Sequence, residues 1–238
     1  MSFIVKPGTR LFGCQNPLRQ GGARRGLPKS FLNRFTQVFV DALEQRDLKF
    51  ILNVQFPELP GDLLDKMIQF NEELSSQVGT TWGYSGSPWE MNLRDVTRWC
   101  EITMAAFKKS SKKIFNPGNG AQLIYVDRMR TNEDKKNVIE IYNKIFLQND
   151  WSLPDPEYLV HLTREKVFLG DEILDRSDSA VYENDDLLLL REQKTVLKGL
   201  AQCVNMNWMA ILVSSLQTGL TSSNKLSSNY LRLICSFK

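Results

Sequence analysis

The sequence predicts an α/β fold in which a block of amphipathic helices lies between two strand-bearing segments. Short apolar runs typical of strands occur at residues 10–17 and 208–213. Between them, over residues 61–146, apolar side chains recur at spacings of three and four, which indicates helices. A stretch rich in Pro, Asp and Asn at 147–157 marks a boundary between two modules.

The composition is ordinary for a globular protein. Hydrophobic residues make up 42% and charged residues 24% of 238 residues, enough for one large domain or two small ones. The net charge of +3 does not imply a general affinity for nucleic acid. No apolar run approaches the ~20 residues of a membrane span, and the first residues have too short an apolar region for a secretory leader. Neither a membrane span nor a secretory leader is therefore expected.

The cysteines do not form a metal-binding pattern. They are widely spaced, at Cys14, Cys100, Cys203 and Cys235, and contain no CxxC pair. With His161 as the single histidine, no metal site is predicted. Scattered free thiols suit a reducing compartment, the cytosol or the nucleus.

The first segment alternates strands with breaker-rich loops. Residues 10–17, "RLFGCQNP", predict a short buried strand that ends at Asn16. A loop rich in Gly and Arg follows over 18–28. "KSFLNRF", residues 29–35, predicts a short helical turn, and "TQVFVDAL", residues 36–43, a second strand.

Three amphipathic helices are predicted over 61–78, 92–107 and 131–146. Their apolar faces consist of Leu64, Met67, Ile68, Leu74 and Val78; Leu93, Val96, Cys100, Met104 and Phe107; and Val138, Ile141, Tyr142 and Ile145. Polar pairs three residues apart indicate where two helices begin. Asn92 with Asp95, and Thr131 with Asp134, have the spacing of capping boxes.

The second segment predicts a smaller mixed unit. Residues 158–170 predict a strand and a turn, 187–207 a helix, and "WMAILV" at 208–213 another strand. The last 25 residues are rich in Ser and Asn.

Several blocks resemble one protein family. "RLFGCQNPLRQGGARRGLPKSFLNRFTQVFVDAL", residues 10–43, closely resembles the stretch from sensor 1 to the arginine finger in midasins, the dynein-related giant AAA ATPases. "GSPWEMNLRDVTRWCEI", residues 86–102, resembles the sensor 2 helix of that family, usually spelled with WEFNLRD. Residues 128–146 and 207–213 continue the resemblance, which covers nearly the whole chain.

The resemblance implies the end of one AAA module joined to the start of the next. Residues 1–46 would be the C-terminal part of an AAA+ core with Rossmann-like strands, and residues 47–150 a helical lid. Residues 151–238 would begin a second AAA+ core with a degenerate phosphate loop. No Walker B motif precedes Asn16 or follows residue 213, so neither nucleotide site is complete in this chain.

The resemblance also implies roles for three residues. Asn16 would be sensor 1, which helps to position the attacking water. Arg34 would be the arginine finger, acting on the γ-phosphate held by a neighbouring module. Arg94 would be sensor 2, contacting the γ-phosphate of its own module, with Arg98 one turn later as the competing candidate.

Each role has a structural alternative. Asn16 before a proline is a common turn residue. The stem of Arg34 could pack on neighbouring phenylalanines. For the sensor 2 candidates Arg94 and Arg98, the alternative is pairing with Asp95 or Glu101 on the same helix.

Residues 211–228, "ILVSSLQTGLTSSNKLSS", approach the phosphate-loop pattern G-x-x-x-x-G-K-[ST]. Read directly from the strand, the motif retains Gly219 and Thr221 but puts Leu220 where lysine should compensate the phosphates. In this register the loop lacks the positive charge that would compensate the phosphates.

A second register, five residues later, retains Gly219 and Lys225. It puts Asn224 at the second glycine and Leu226 at the magnesium ligand, and it requires "SSLQT" to be an insertion. We prefer it because the family usually spells the loop GPTSSGKTS. The alternative is a Ser/Asn-rich tail that forms no loop.

Two function classes follow. In the first, the chain is part of a midasin-like ATPase, whose six modules form a ring that uses ATP and Mg²⁺ to remodel precursors of the large ribosomal subunit in the nucleolus and nucleoplasm. Its partners would be neighbouring modules, the pre-60S particle and assembly factors, without membrane or sequence-specific nucleic-acid binding, and this chain alone would be inactive. In the second, it is a truncated, non-catalytic interaction protein that binds a ring neighbour or a ribosomal precursor.

Overall fold

The structure of the chain is a computed structural model. The chain divides into two compact units, Met1–Trp151 and Ser152–Lys238. The structure describes residues 6, 8–14, 28–41, 43–109, 114–147, 160–163, 165–175 and 191–211. The two units are considered separately below.

The described part of the first unit is helical. Its elements are α1 (Lys29–Leu32), α2 (Gln45–Gln55), α3 (Gly61–Gln77), α4 (Leu93–Lys109), α5 (Gly118–Ala121), a π-helix (Gln122–Val126) and α6 (Asn132–Phe146). The three predicted amphipathic helices are confirmed as α3, α4 and α6, and the predicted helical turn as α1. Periodicity predicted these helices because each buries one continuous apolar stripe.

Five aromatic rings form the centre of this unit and are called the aromatic cluster. They are Phe70 of α3, Trp99 of α4, Tyr125 of the π-helix, and Tyr142 and Phe146 of α6. Phe70 meets Trp99 and Tyr125 edge-on, with ring centroids 5.2 and 5.1 Å apart. Edge-to-face contacts suit the quadrupoles of the rings. The aromatic cluster therefore joins three helices and the π-helix through one set of contacts.

Two polar contacts fix the orientation of the buried rings. Trp99 Nε1 donates a hydrogen bond to the carbonyl of Pro117 at 2.7 Å, and Tyr125 Oη donates to Asn71 Oδ1 at 3.0 Å. Buried polar groups without partners are costly, so both bonds favour one arrangement of the core. Gly120 lies against the Trp99 ring, and a Cβ at this position would come within 2.5 Å of Trp99 Cδ1.

Helix α2 was not predicted. It begins at a capping box in which Glu44 N donates to Asp47 Oδ2 at 3.0 Å. Leu48 and Leu52 are buried, whereas Phe50 and Val54 are 71% and 67% exposed. These exposed apolar residues obscure the single stripe that periodicity detects. Lys49 Nζ meets Asp65 of α3 at 2.7 Å, which helps to join the two helices.

The strands predicted near both ends of the chain are wrong for the residues that the structure describes. Residues 10–14, 36–41 and 208–211 have no regular structure. Their apolar side chains are exposed, among them Leu11, Phe12, Val38, Phe39, Val40, Met209 and Ile211. A strand is stabilised by pairing with its neighbours, and none of the described residues pairs with these segments.

The second unit contains a three-stranded antiparallel sheet and one helix. The elements are β1 (Val160–Leu162), β2 (Lys166–Leu169), β3 (Glu172–Asp175) and α7 (Arg191–Asn205), and the strand order is β1-β2-β3. The predicted strand and turn and the predicted helix are thus confirmed, while β3 was missed.

One face of this sheet packs on α7. Val167 and Leu174 of the sheet and Leu197 of α7 are buried, and Lys198 Nζ meets Asp171 Oδ1 at 2.6 Å. All strands in the described residues are antiparallel. The Rossmann-like strands of a second AAA+ core therefore remain a prediction.

Cys100 lies on the buried face of α4, and this burial changes the pKa of its thiol. Burial, with a smaller contribution from the charge of Glu101, raises the pKa of the Cys100 thiol to about 12. A thiolate is the reactive form of cysteine, so Cys100 stays protonated at neutral pH and acts as a core residue.

We predict that Gly120→Ala destabilises the first unit because the new methyl group would collide with the Trp99 ring. The free energy of unfolding, measured by urea titration, should fall by about 1–3 kcal/mol. Gly61→Ala is the matched control, since a Cβ there meets open space. Equal losses of unfolding free energy in the two variants would contradict the close approach of Gly120 to the Trp99 ring.

Candidate functional site

The first turn of α4 carries Arg94, and its capping is well defined. Arg94 N donates to Asn92 Oδ1 at 2.9 Å, and Asn92 N donates to Asp95 Oδ2 at 3.1 Å. The predicted cap at Asn92 is therefore confirmed, although Asn92 Oδ1 accepts from Arg94 N and not from Asp95 N. It satisfies backbone donors that an uncapped helix leaves open. The side chain of Arg94 is exposed.

A second arginine braces this turn from outside α4. Arg128 follows the π-helix, and its NH1 group meets Asp95 Oδ1 at 3.1 Å. Its NH2 group donates to the carbonyl of Glu90 at 3.3 Å. Arg128 thus joins the loop before α4, the first turn of α4 and the connection to α6. Sequence reasoning missed this residue, since no spacing rule relates positions that are 33 residues apart.

The loop before α4 is also tied to α6. Gly83, at φ 72°, donates its N–H to Asp134 Oδ1 at 3.1 Å and accepts a hydrogen bond from Trp89 Nε1. A positive φ favours glycine. Asp134 N donates to Thr131 Oγ1 at 3.0 Å, which confirms one half of the predicted capping box. The other half, a bond from Thr131 N to the Asp134 carboxylate, is not among the contacts of the described residues. That carboxylate accepts from Gly83 N instead.

The electrostatics connect this region to the aromatic cluster. Burial raises the pKa of Tyr125 well above its usual value. The negative charge of Asp95 adds to that increase, and the positive charge of Arg128 opposes it. The Asp95–Arg128 pair is therefore close enough to the buried phenol to influence its pKa.

The contacts distinguish between the two candidates for sensor 2. Asp95 pairs with Arg128, not with Arg94 as the structural alternative supposed. Arg98 is half-buried and already has an interaction partner. The guanidinium of Arg94 has no hydrogen-bond or ion-pair partner within the described residues. Arg94 is thus the more available cation of the two.

Arg34 lies just after α1 and is exposed. Its backbone N–H donates to the carbonyl of Phe31 at 3.1 Å. The rings of Phe31 and Phe35 contact each other, with centroids 5.1 Å apart, and both remain partly exposed. No ion pair holds the Arg34 guanidinium within the described part of the chain.

The other predicted site residues cannot be placed. Asn16, Gly219, Thr221 and Lys225 all lie outside the described residues. No hydrogen bond, ion pair or ring contact between described residues joins Arg34 to Arg94.

The described residues hold neither a metal-binding cluster nor a membrane-spanning helix. These residues hold no group of three or more His, Cys, Asp or Glu side chains arranged to bind a metal ion. None of the helices among them combines the length and apolarity needed to cross a membrane.

Comparison with known proteins identifies the helical region. Residues 47–148 match the family model of the midasin AAA lid domain. Midasin from Dictyostelium discoideum is 38% identical to this chain over 94% of the chain and 4% of the relative. The predicted resemblance to midasin is confirmed. Midasin from Giardia intestinalis is 30% identical over 93% of the chain and 5% of the relative.

The match assigns the braced turn to the midasin-like lid. Helices α3, α4 and α6 and most of α2 lie within residues 47–148, as do Arg94 and Arg128. The chain spans only about a twentieth of the length of these midasins, at 4% and 5%. The chain is thus similar to a small part of these midasins, and its helical region to their lid domain.

We predict that Asn92→Ala weakens the start of α4. Loss of the side-chain acceptor for Arg94 N should lower the free energy of unfolding by about 1 kcal/mol. Asn92→Ser should retain most of the stability, because serine is an equally good N-cap. Urea titration of both variants tests this, and a neutral alanine variant would exclude a stabilising cap at this position.

Proposed function

We propose that this chain is a working part of a midasin-like AAA+ ATPase that uses ATP to remodel pre-60S ribosomal particles. The observation that carries the proposal is the exposed Arg94 on a capped and braced turn of the midasin-like lid. Within the described residues the Arg94 guanidinium has no carboxylate partner, so its charge would be open to an anion. The precise backbone contacts around Arg94 favour the recognition of a fixed anion.

In this proposal Arg94 is sensor 2. A guanidinium is planar and permanently charged, and it can bind two phosphate oxygens at once. Because Asp95 is paired with Arg128, the charge of Arg94 is not neutralised by its neighbour in sequence. The lid would deliver this charge to the γ-phosphate of the nucleotide in its own module.

Arg34 is proposed as the arginine finger of an adjoining module. A finger that acts in trans must be exposed and must not be held by a local carboxylate. Both conditions are met by Arg34 in the described residues. Asn16 is proposed as sensor 1, where its amide would orient the attacking water. Positioning and electrostatic stabilisation provide most of the catalysis in such reactions.

ATP and Mg²⁺ are the proposed cofactors of the assembled ring. Gly219 with Thr221 or Lys225 would be what this chain retains of a phosphate loop. Each register lacks either the lysine or the magnesium ligand, and no backbone group replaces these. The residues therefore fit a complete nucleotide site poorly, and the chain alone is proposed to be inactive.

The proposed partners are the neighbouring AAA modules, the pre-60S particle and its assembly factors, in the nucleolus and nucleoplasm. The exposed apolar run Val38–Val40 supports a protein partner beside Arg34, because its three side chains are 81%, 91% and 90% exposed. Contiguous exposed apolar surface is typical of binding sites.

A second candidate is a non-catalytic interaction protein related to midasin. It is favoured by the degenerate phosphate loop, which lacks essential positions in either register. In that case the same apolar run and the lid helices would bind a ring neighbour or a ribosomal precursor, and neither arginine would affect ATP turnover.

We predict that the isolated chain binds labelled ATP with a Kd weaker than ~1 mM, in the presence or absence of Mg²⁺. The physical reason is the loss of either the phosphate-binding lysine or the magnesium ligand. Equilibrium titration measures this directly. Tight binding that depends on magnesium would show that the loop is functional.

We predict that Arg34→Ala slows ATP turnover in a chimera in which this segment replaces the corresponding part of Dictyostelium midasin. Turnover at the adjoining site should fall by ~10³-fold or more, as expected for loss of a finger. Arg34→Lys should recover little, since a lysine cannot form a bidentate contact. Arg46→Ala, an exposed arginine paired with Glu44 on α2, is the control. Unchanged single-turnover rates with Arg34→Ala would favour the non-catalytic candidate.

A further inference from the structure

We propose that Arg128 is the positioning residue of the Arg94 site: its guanidinium holds Asp95 and the loop before α4, which fixes the backbone of Arg94. This inference rests on the proposed role of Arg94 as a phosphate sensor. Arg128 itself is not proposed to touch nucleotide.

The contacts form a continuous chain from Arg128 to the backbone of Arg94. Arg128 binds Asp95 Oδ1, the other oxygen of Asp95 accepts from Asn92 N, and Asn92 Oδ1 accepts from Arg94 N. Each oxygen of Asp95 thus has its own donor. Fixing one oxygen selects the rotamer in which the other completes the capping box.

The shape of the arginine side chain matters for this role. NH1 meets Asp95, and also approaches the sulfur of Met91 at 3.8 Å. NH2 reaches the Glu90 carbonyl. A single lysine ammonium is a point charge and lacks a planar fork with two separated donors. Lysine could keep the charge near Asp95 while releasing the loop.

The environment strengthens the Asp95–Arg128 pair. The side chains are 13% and 34% exposed, so solvent screens the pair less than a surface ion pair. Charge-assisted hydrogen bonds in such settings are stronger than neutral ones. Without Arg128, Asp95 Oδ1 would lose its donor, and the contacts that hold the backbone of Asn92 and Arg94 would be less firmly fixed.

Amide hydrogen exchange on the whole 238-residue chain tests the bracing. In Arg128→Lys and Arg128→Gln, the amides of Asn92 and Arg94 should exchange about tenfold faster, in line with the loss of a charge-assisted bond. The amides of Trp99 and Cys100, deeper in α4, should not change. Asp95→Asn should reproduce the pattern, and Arg46→Gln should leave it unaltered.

Two outcomes would overturn the inference. Unchanged exchange at Asn92 and Arg94 would show that Arg128 does not brace the turn. A uniform increase through α4 and α6 would make Arg128 a general stability residue.

ATP turnover in the Dictyostelium chimera distinguishes failure of the positioning role of Arg128 from failure of the sensor role of Arg94. We expect Arg94→Ala and Arg128→Lys each to lower kcat, the second in a lid that remains folded. If Arg94→Ala has no effect, the sensor role fails while the exchange result still stands. If Arg94→Ala slows turnover and Arg128→Lys does not, the positioning role fails alone.

Discussion

The contact between Phe70 and Trp99 is the constraint on which the helical unit depends. Trp99 also meets Tyr125 and Phe146, so one indole touches the π-helix and α6 as well as α3. Its N–H is satisfied by Pro117, and Gly120 allows the backbone to approach its face. Protein interiors are close-packed, so a shift of this ring would require every neighbouring helix to move.

The same helix transmits that rigidity to its outer surface. Trp99 fixes the inner face of α4, while the first turn of α4 presents Arg94 to solvent. The Arg128–Asp95 pair connects this turn to residues beside the buried Tyr125. The proposed sensor role of Arg94 would need such support, because small errors in position greatly reduce the effect of a catalytic group.

Local patterns predicted the helices but not the contacts between distant residues. Periodicity and the Asn92–Asp95 pair identified α4, and both depend only on neighbours in sequence. The strand at 36–43 was wrong because a strand depends on partners that the pattern does not contain, and β-propensity reflects that context. Arg128 was missed for the same reason. The midasin resemblance and helices α3, α4 and α6 could be predicted; α2 and the brace could not.

The most direct test is a structure of a midasin ring that contains this segment with a non-hydrolysable ATP analogue and Mg²⁺. The account predicts that the Arg94 guanidinium lies within about 3 Å of a γ-phosphate oxygen in its own module, with Asp95 still bound to Arg128. It also predicts that Arg34 reaches the γ-phosphate of the adjoining module. Arg94 paired with Asp95, or both arginines turned away from every nucleotide, would contradict it.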